Sequence, residues 1–135
     1  METQVLLISS TTTPALVSAS YNASTSIGWG RQRTLLIAIQ ATRAHLSAMT
    51  AVKFEVQGSR DGSTGWTALI ATRLGDSTAT AQQEAALTVA DATTANDFVS
   101  CSVAQNIPFI RVVAKSVTAD AGAGDSAAAW VELTR

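Results

Sequence analysis

The stretch Val52-Lys53-Phe54-Glu55-Val56-Gln57-Gly58-Ser59-Arg60-Asp61-Gly62-Ser63-Thr64-Gly65-Trp66 decides the fold. As far as Gly58 it alternates with period two. Val52, Phe54 and Val56 fall on one face and Lys53, Glu55 and Gln57 on the other, the pattern of a half-buried strand. Ser59 to Gly65 then breaks the alternation. Asp61-Gly62 readily takes positive φ, so the chain turns back here. Trp66 to Leu74 is expected to return as the partner strand, with Trp66, Ala68, Ile70 and Leu74 facing one way. Phe54 would then oppose Ile70, Val56 would oppose Ala68, and the Trp66 ring would lie over Gly58 and cover exposed backbone. Gly58, Asp61, Gly62 and Trp66 are therefore read as a structural hairpin.

The same period continues on both sides. Strands are predicted over Gln4–Ser9, Ala15–Tyr21, Arg33–Thr42, Gln83–Ala90, Phe98–Ala104, Pro108–Thr118 and Ser126–Thr134. With the opening pair this gives about nine strands at roughly 8–12-residue spacing, the signature of a sandwich or barrel. Arg43–Thr50 reads as one short helical turn or a crossing loop. No longer helical period interrupts the strands, which excludes a parallel α/β sheet. The prediction is an all-β, antiparallel β-sandwich with little helix. Residues 14–135 form one domain, and residues 1–13 form an N-terminal arm or edge strand whose Val5 and Leu7 are candidates for contact with a neighbouring subunit.

The last two strands are expected to pair as a hairpin. Ile110, Val112 and Ala114 face the core with Ala129, Val131 and Leu133. That register sets Ile110 opposite Leu133, Arg111 opposite Glu132 and Val113 opposite Trp130. Its outer face would carry Phe109, Val113, Val117 and Trp130, an apolar patch and candidate subunit interface.

Composition narrows the function. Of 135 residues, 14% are charged and 47% hydrophobic, with a net charge of −1. There is no basic run to hold phosphates, so no nucleic-acid partner is expected. No apolar stretch approaches the ~20 residues of a membrane span. The opening residues lack a positive segment before a long apolar one, so synthesis in a cytoplasm without export is expected. Cys101 is the single cysteine and reads as a buried thiol. His45 is the single histidine, with no nucleophile motif near it. The acids are scattered, and Asp120 to Asp125 reads as a flexible hairpin tip, not a calcium loop. No enzyme activity, metal or cofactor is expected. So few charges leave little to repel a second copy, which predicts a homo-oligomer, with a trimer as the expected state.

One pairing of motifs goes further. Ser59-Arg60-Asp61-Gly62 after an alternating strand, with Trp66 opening the return, is followed downstream by Pro108-Phe109-Ile110-Arg111-Val112-Val113-Ala114. Across residues 52–74 and 107–134 this resembles the jelly-roll virion proteins of tailed bacteriophages, including capsid decoration (cement) proteins. It also resembles the discoidin-like carbohydrate-binding sandwiches. The first resemblance implies a jelly-roll protein located in the virion, whose partner is the major capsid protein or another virion protein and whose role is to bridge shell subunits. The second implies a carbohydrate-binding or host-adhesion module, for which Trp29 is the loop tryptophan available. Aromatic content of only 5% favours the first.

Overall fold

A computed structural model describes residues 2–8, 17–19, 21–23, 27–28, 34–75, 84–102 and 107–134. The strands are β1 (Glu2–Ile8), β2 (Asn22–Ala23), β3 (Ile27–Gly28), β4 (Thr34–Thr42), β5 (Ala51–Ser59), β6 (Thr67–Ala68), β7 (Ala71–Arg73), β8 (Glu84–Thr88), β9 (Thr94–Ser102), β10 (Phe109–Val117) and β11 (Ser126–Thr134). Eight of these have three or more residues, one fewer than the nine expected, while β2, β3 and β6 are two-residue segments. No helix occurs among the described residues, and Arg43–Thr50 is a crossing loop.

All strand pairs are antiparallel, and they form two sheets. The first has the order β1-β11-β4-β9-β7; in the second, β10 and β5 are central, flanked by β2 and β3 on one side and β6 and β8 on the other. The pairs are nested: β1 with β11, β2 and β3 with β10, β4 with β9, β5 with β8. A long hairpin doubled over on itself gives this order, which is that of a jelly roll. The short strands β6 and β7 are an excursion between β5 and β8.

Alternation fills the core. Leu35, Ile37, Ile39, Val99, Cys101, Ala127 and Ala129 point inward from the first sheet. Val52, Phe54, Val56, Ile110, Val112 and Ala114 meet them from the second. Each large aliphatic or aromatic side chain so buried contributes roughly 1.5–3 kcal/mol. Along the β7–β9 edge an ion pair joins two strands of the first sheet, and its arginine reaches the second sheet. Arg73 Nε lies 2.6 Å from Asp97 Oδ2, and Arg73 also donates to the carbonyl of Ala86 in β8, across the sandwich. Asp97 Oδ1 accepts from the Gly75 amide; a Cβ there would stand 2.6 Å from the carboxylate, so this turn takes glycine.

Three expectations need correction. The strand expected over Trp66–Leu74 is two, and they belong to different sheets. Its register against β5 is displaced by one residue: Gly58 pairs with Thr67, and Gln57 with Ala68. Leu69, packed on the core, takes the inward place assigned to Ile70, which is 58% exposed. A one-residue slip exchanges every side chain between faces. The strand expected over Ala15–Tyr21 is also absent where described, since residues 17–19 and Tyr21 are not in a strand.

The third correction concerns the C-terminal hairpin. β10 and β11 lie in opposite sheets, joined by a crossing loop. Ile110 pairs with Gly58, Arg111 with Gln57 and Val113 with Glu55, while Trp130 pairs with Leu6 and Ala38. Ile110, Val112, Ala114 and Ala129 are nevertheless buried in the core, as expected. Two strands that face each other across a core show the same alternation as two that pair, so the pattern alone does not separate the cases.

Candidate functional site

The sandwich presents two outer faces of unlike chemistry. On the first sheet, β4 directs Leu36, Ala38, Gln40 and Thr42 outward, and β9 directs Thr94, Asn96, Phe98 and Ser100 outward beside them. On β11 the described side chains of the same parity are Ser126, Ala128 and Trp130, of which Ala128 is fully buried. None of these is charged. Their polar groups bond to one another: Gln40 Nε2 donates to Asn96 Oδ1 at 2.9 Å, and the Thr42 and Thr94 hydroxyls are 3.0 Å apart. Trp130, Ala38 and Phe98 form one row across the sheet, large-small-large, and Phe98 is 42% exposed. Solvated sheet faces ordinarily carry charges. A face whose described polar side chains pair with one another beside an apolar row suits a protein surface better than a small molecule.

The second sheet's outer face carries Lys53, Glu55 and Gln57 on β5, with Arg111 and Lys115 on β10. Its aromatic rings are engaged within the chain. The Arg111 guanidinium lies 4.3 Å from the Trp66 ring centre and donates to Gln57 Oε1 at 2.8 Å. Lys115 Nζ lies 4.6 Å from the Tyr21 ring centre. Trp66 is thus held by Arg111 at the surface and does not cover Gly58, whose inward side meets Ile107 and Leu69 instead.

One end of the sandwich is a braced loop cluster. Asp125 is fully buried and accepts from the Ala44 amide (2.8 Å), the Gly122 amide (2.8 Å) and the Ser47 hydroxyl (2.5 Å). Burial would raise its pKa, but these bonds and the charge of Arg43 outweigh that and hold the carboxyl below its ordinary range. Arg43 donates to the carbonyls of Ser47 and Val89. Asp91 accepts from the Leu46 amide and pairs with His45 Nδ1 at 3.0 Å, so its carboxyl is also held low, first by the Leu46 bond. Leu46 sits at the tip with φ 57° and is 80% exposed. The hydroxyl of Ser47 goes to Asp125 while His45 goes to Asp91, so this histidine and this serine are not joined in a relay.

At the opposite end the Ser59–Gly65 turn is built as its sequence predicts. Gly62 has φ +78°, and Asp61 accepts from the Ser63 and Thr64 amides and the Thr64 hydroxyl. The Thr64 amide bond foremost pulls the Asp61 carboxyl far below its usual range. Beside this turn is an open depression of about 270 Å³ lined by Gly58, Ser59, Arg60, Gly65, Thr67, Leu69 and Ile107.

The structure divides the patch expected from Phe109, Val113, Val117 and Trp130. The first three are on the second sheet, with Val113 buried, and only Trp130 is on the outer face of the first sheet. Val5 and Leu7 lie on β1, an edge strand paired with β11 of its own chain; Val5 pairs with Val131, and Leu7 falls at a break in register. Trp29 and residues 9–13 lie outside the described residues. Cys101 is buried, which pushes its thiol up to about 11. Sequence reading missed Phe98, Asp125 and Leu46. The uncharged outward positions of β4 and β9 were the available signal for the first; the other two had none. Among the described residues no group of three or more His, Cys, Asp or Glu side chains could hold a metal ion. No protein-family model matches the chain, and no curated protein is significantly similar to it.

Proposed function

We propose that this chain is a structural virion protein of a tailed bacteriophage, a capsid decoration (cement) protein. It seats the outer face of its first sheet on the mature shell and bridges neighbouring subunits of the major capsid protein. The observation that carries the reading is the Trp130–Ala38–Phe98 row, on a face whose described outward side chains carry no charge, set back to back with a charged face on the same small sandwich. The action is mechanical. Apolar area removed from water contributes about 25 cal/mol per Å², less the cost of ordering the partners. Polar groups already satisfied within the sheet add little desolvation penalty on docking. The engagement of Trp66 by Arg111 supports this reading over a carbohydrate-binding one, because it occupies a ring that could otherwise stack on a sugar.

Mass spectrometry of purified virions whose genome encodes the chain, with copy number per shell, tests the proposal. A copy number in fixed ratio to the major capsid protein is expected, together with lower resistance of the heads to heat when the chain is removed. Absence from the particle, or selective retention on a glycan array, contradicts it.

A further inference from the structure

We propose that β1 is a dimerisation edge: two copies pair their β1 strands antiparallel about a two-fold axis at Gln4, joining their five-stranded first sheets into one continuous sheet. A strand at the edge of a sheet turns part of its amides and carbonyls away from its neighbour. These pair readily with another strand unless short length, charge or proline prevents it. The described edges of the sandwich are blunted on every side but one. In the second sheet β2, β3 and β6 are two-residue segments. β7, which ends the first sheet, has three residues, and its Arg73 donates to the Ala86 carbonyl of β8, the edge strand across the sandwich. β1 ends the first sheet on its other side and has seven residues. Its one charged residue is Glu2 at the start, it has no proline, and among the described residues no strand but β11 pairs with it.

The register selects a second β1 as the occupant. A two-fold axis perpendicular to the sheet keeps inward positions beside inward positions only when it passes through a residue. The ladder with β11 is regular from Glu2 to Leu6 and breaks between Leu6 and Ile8. Gln4 is the middle of that regular stretch. An axis there sets Gln4 opposite Gln4, Thr3 opposite Val5 and Glu2 opposite Leu6. Thr and Val are β-branched residues of similar shape, suited to a cross-strand pair. Two facing glutamine amides each offer the other a donor and an acceptor. No like charges meet. The other described edges are too short or too engaged to offer such a ladder. The pairing is isologous and closes at two copies, unlike the trimer expected from composition. It keeps Val5 as a contact residue and leaves Leu7 outside the ladder. It also goes beyond shell docking, because the outer faces of both first sheets stay open and lie side by side.

Cysteine scanning of β1 in the full chain tests the pairing, with dimers read on a non-reducing gel after mild oxidation. Opposed residues of antiparallel strands have Cα atoms about 4.5–5.5 Å apart, inside the range a disulfide spans. Gln4→Cys should therefore link to itself. Leu6→Cys should not, because its own copy lies roughly 14 Å away, but it should link to Glu2→Cys when the two are mixed. Cys101 is buried and stays out of the exchange. Sedimentation velocity adds a readout without cross-linking. Wild type should be a dimer, and Gln4→Lys, which sets two cations face to face, should dissociate roughly fivefold more readily. Mixing it with Gln4→Glu should restore association to the wild-type level. A wild type that sediments as a monomer, a Gln4→Cys protein that forms no linked dimer, or a Leu6→Cys protein that links to itself as readily as Gln4→Cys overturns the proposal. None of these measurements involves a capsid, so this pairing and shell docking fail separately.

Discussion

The two outer faces of the sandwich use the same alternation for opposite ends. On the second sheet, the outward positions of β5 and β10 carry Lys53, Glu55, Arg111 and Lys115, and the rings nearby are tied down by cations of the same chain. On the first sheet, β4 and β9 offer Leu36, Ala38, Gln40, Asn96 and Phe98, none of them charged. Both faces satisfy the fold equally, because each sheet buries its other side in the common core. The common core therefore does not set the difference. The second face ties its aromatics to its own lysine and arginine, whereas the first leaves an apolar row beside paired amides, and the proposed docking rests on that difference.

Substitutions can break this contrast, and the largest effect belongs to neither face. Asp125→Ala removes the acceptor for two backbone amides and a hydroxyl in a fully buried place, and should cost about 3 kcal/mol of stability, read by chemical denaturation. It shows what a folding defect looks like. It also has a pH signature. The folded pKa of Asp125 lies below the unfolded one, so its stabilisation is complete above about pH 4 and is lost as pH falls through the depressed value. Asp125→Asn should abolish that part of the acid sensitivity of melting.

Next comes the rear of the finished sheet. Gly58→Ala drives a Cβ against the stiff branched Ile107 and should cost about 2 kcal/mol by thermal melting, since overpacking is poorly relieved here. Trp66→Ala, on the charged face, should cost about 1 kcal/mol through the lost ring–cation contact and leave assembly intact. If it abolished assembly instead, the faces would have been assigned the wrong way round. The smallest effect on stability should come from Phe98→Glu, within about 0.5 kcal/mol, because its ring is partly in water already.

How much of this was legible in the sequence follows from what alternation encodes. It reports which side of a strand is wet, so Val52, Phe54, Val56, Ile110, Val112, Ala114 and Ala129 were assigned inward correctly. It does not report which strand lies beside which. β10 and β11 alternate in step because they face each other across the core, and the sequence expectation mistook that for pairing. Turn chemistry was legible where the residues force it: Asp61-Gly62 takes positive φ at Gly62 as expected. It failed around Leu69 and Ile70, where either apolar residue fits an inward place and only the sheet-to-sheet crossing selects between them. The Asp120–Asp125 loop read as a flexible tip because sequence cannot show that the loop starting at Arg43 brings the Ala44 amide and the Ser47 hydroxyl to the Asp125 carboxylate, which also takes the Gly122 amide of its own loop.

The central claim is that the outer face of the first sheet docks and that of the second does not. Heads freed of the chain, incubated with wild type, Phe98→Glu or Lys53→Glu and then sedimented, test it most directly. The account predicts at least tenfold weaker binding for Phe98→Glu, because a carboxylate would be buried without a partner, and wild-type binding for Lys53→Glu. Binding that survives Phe98→Glu and falls with Lys53→Glu would contradict it.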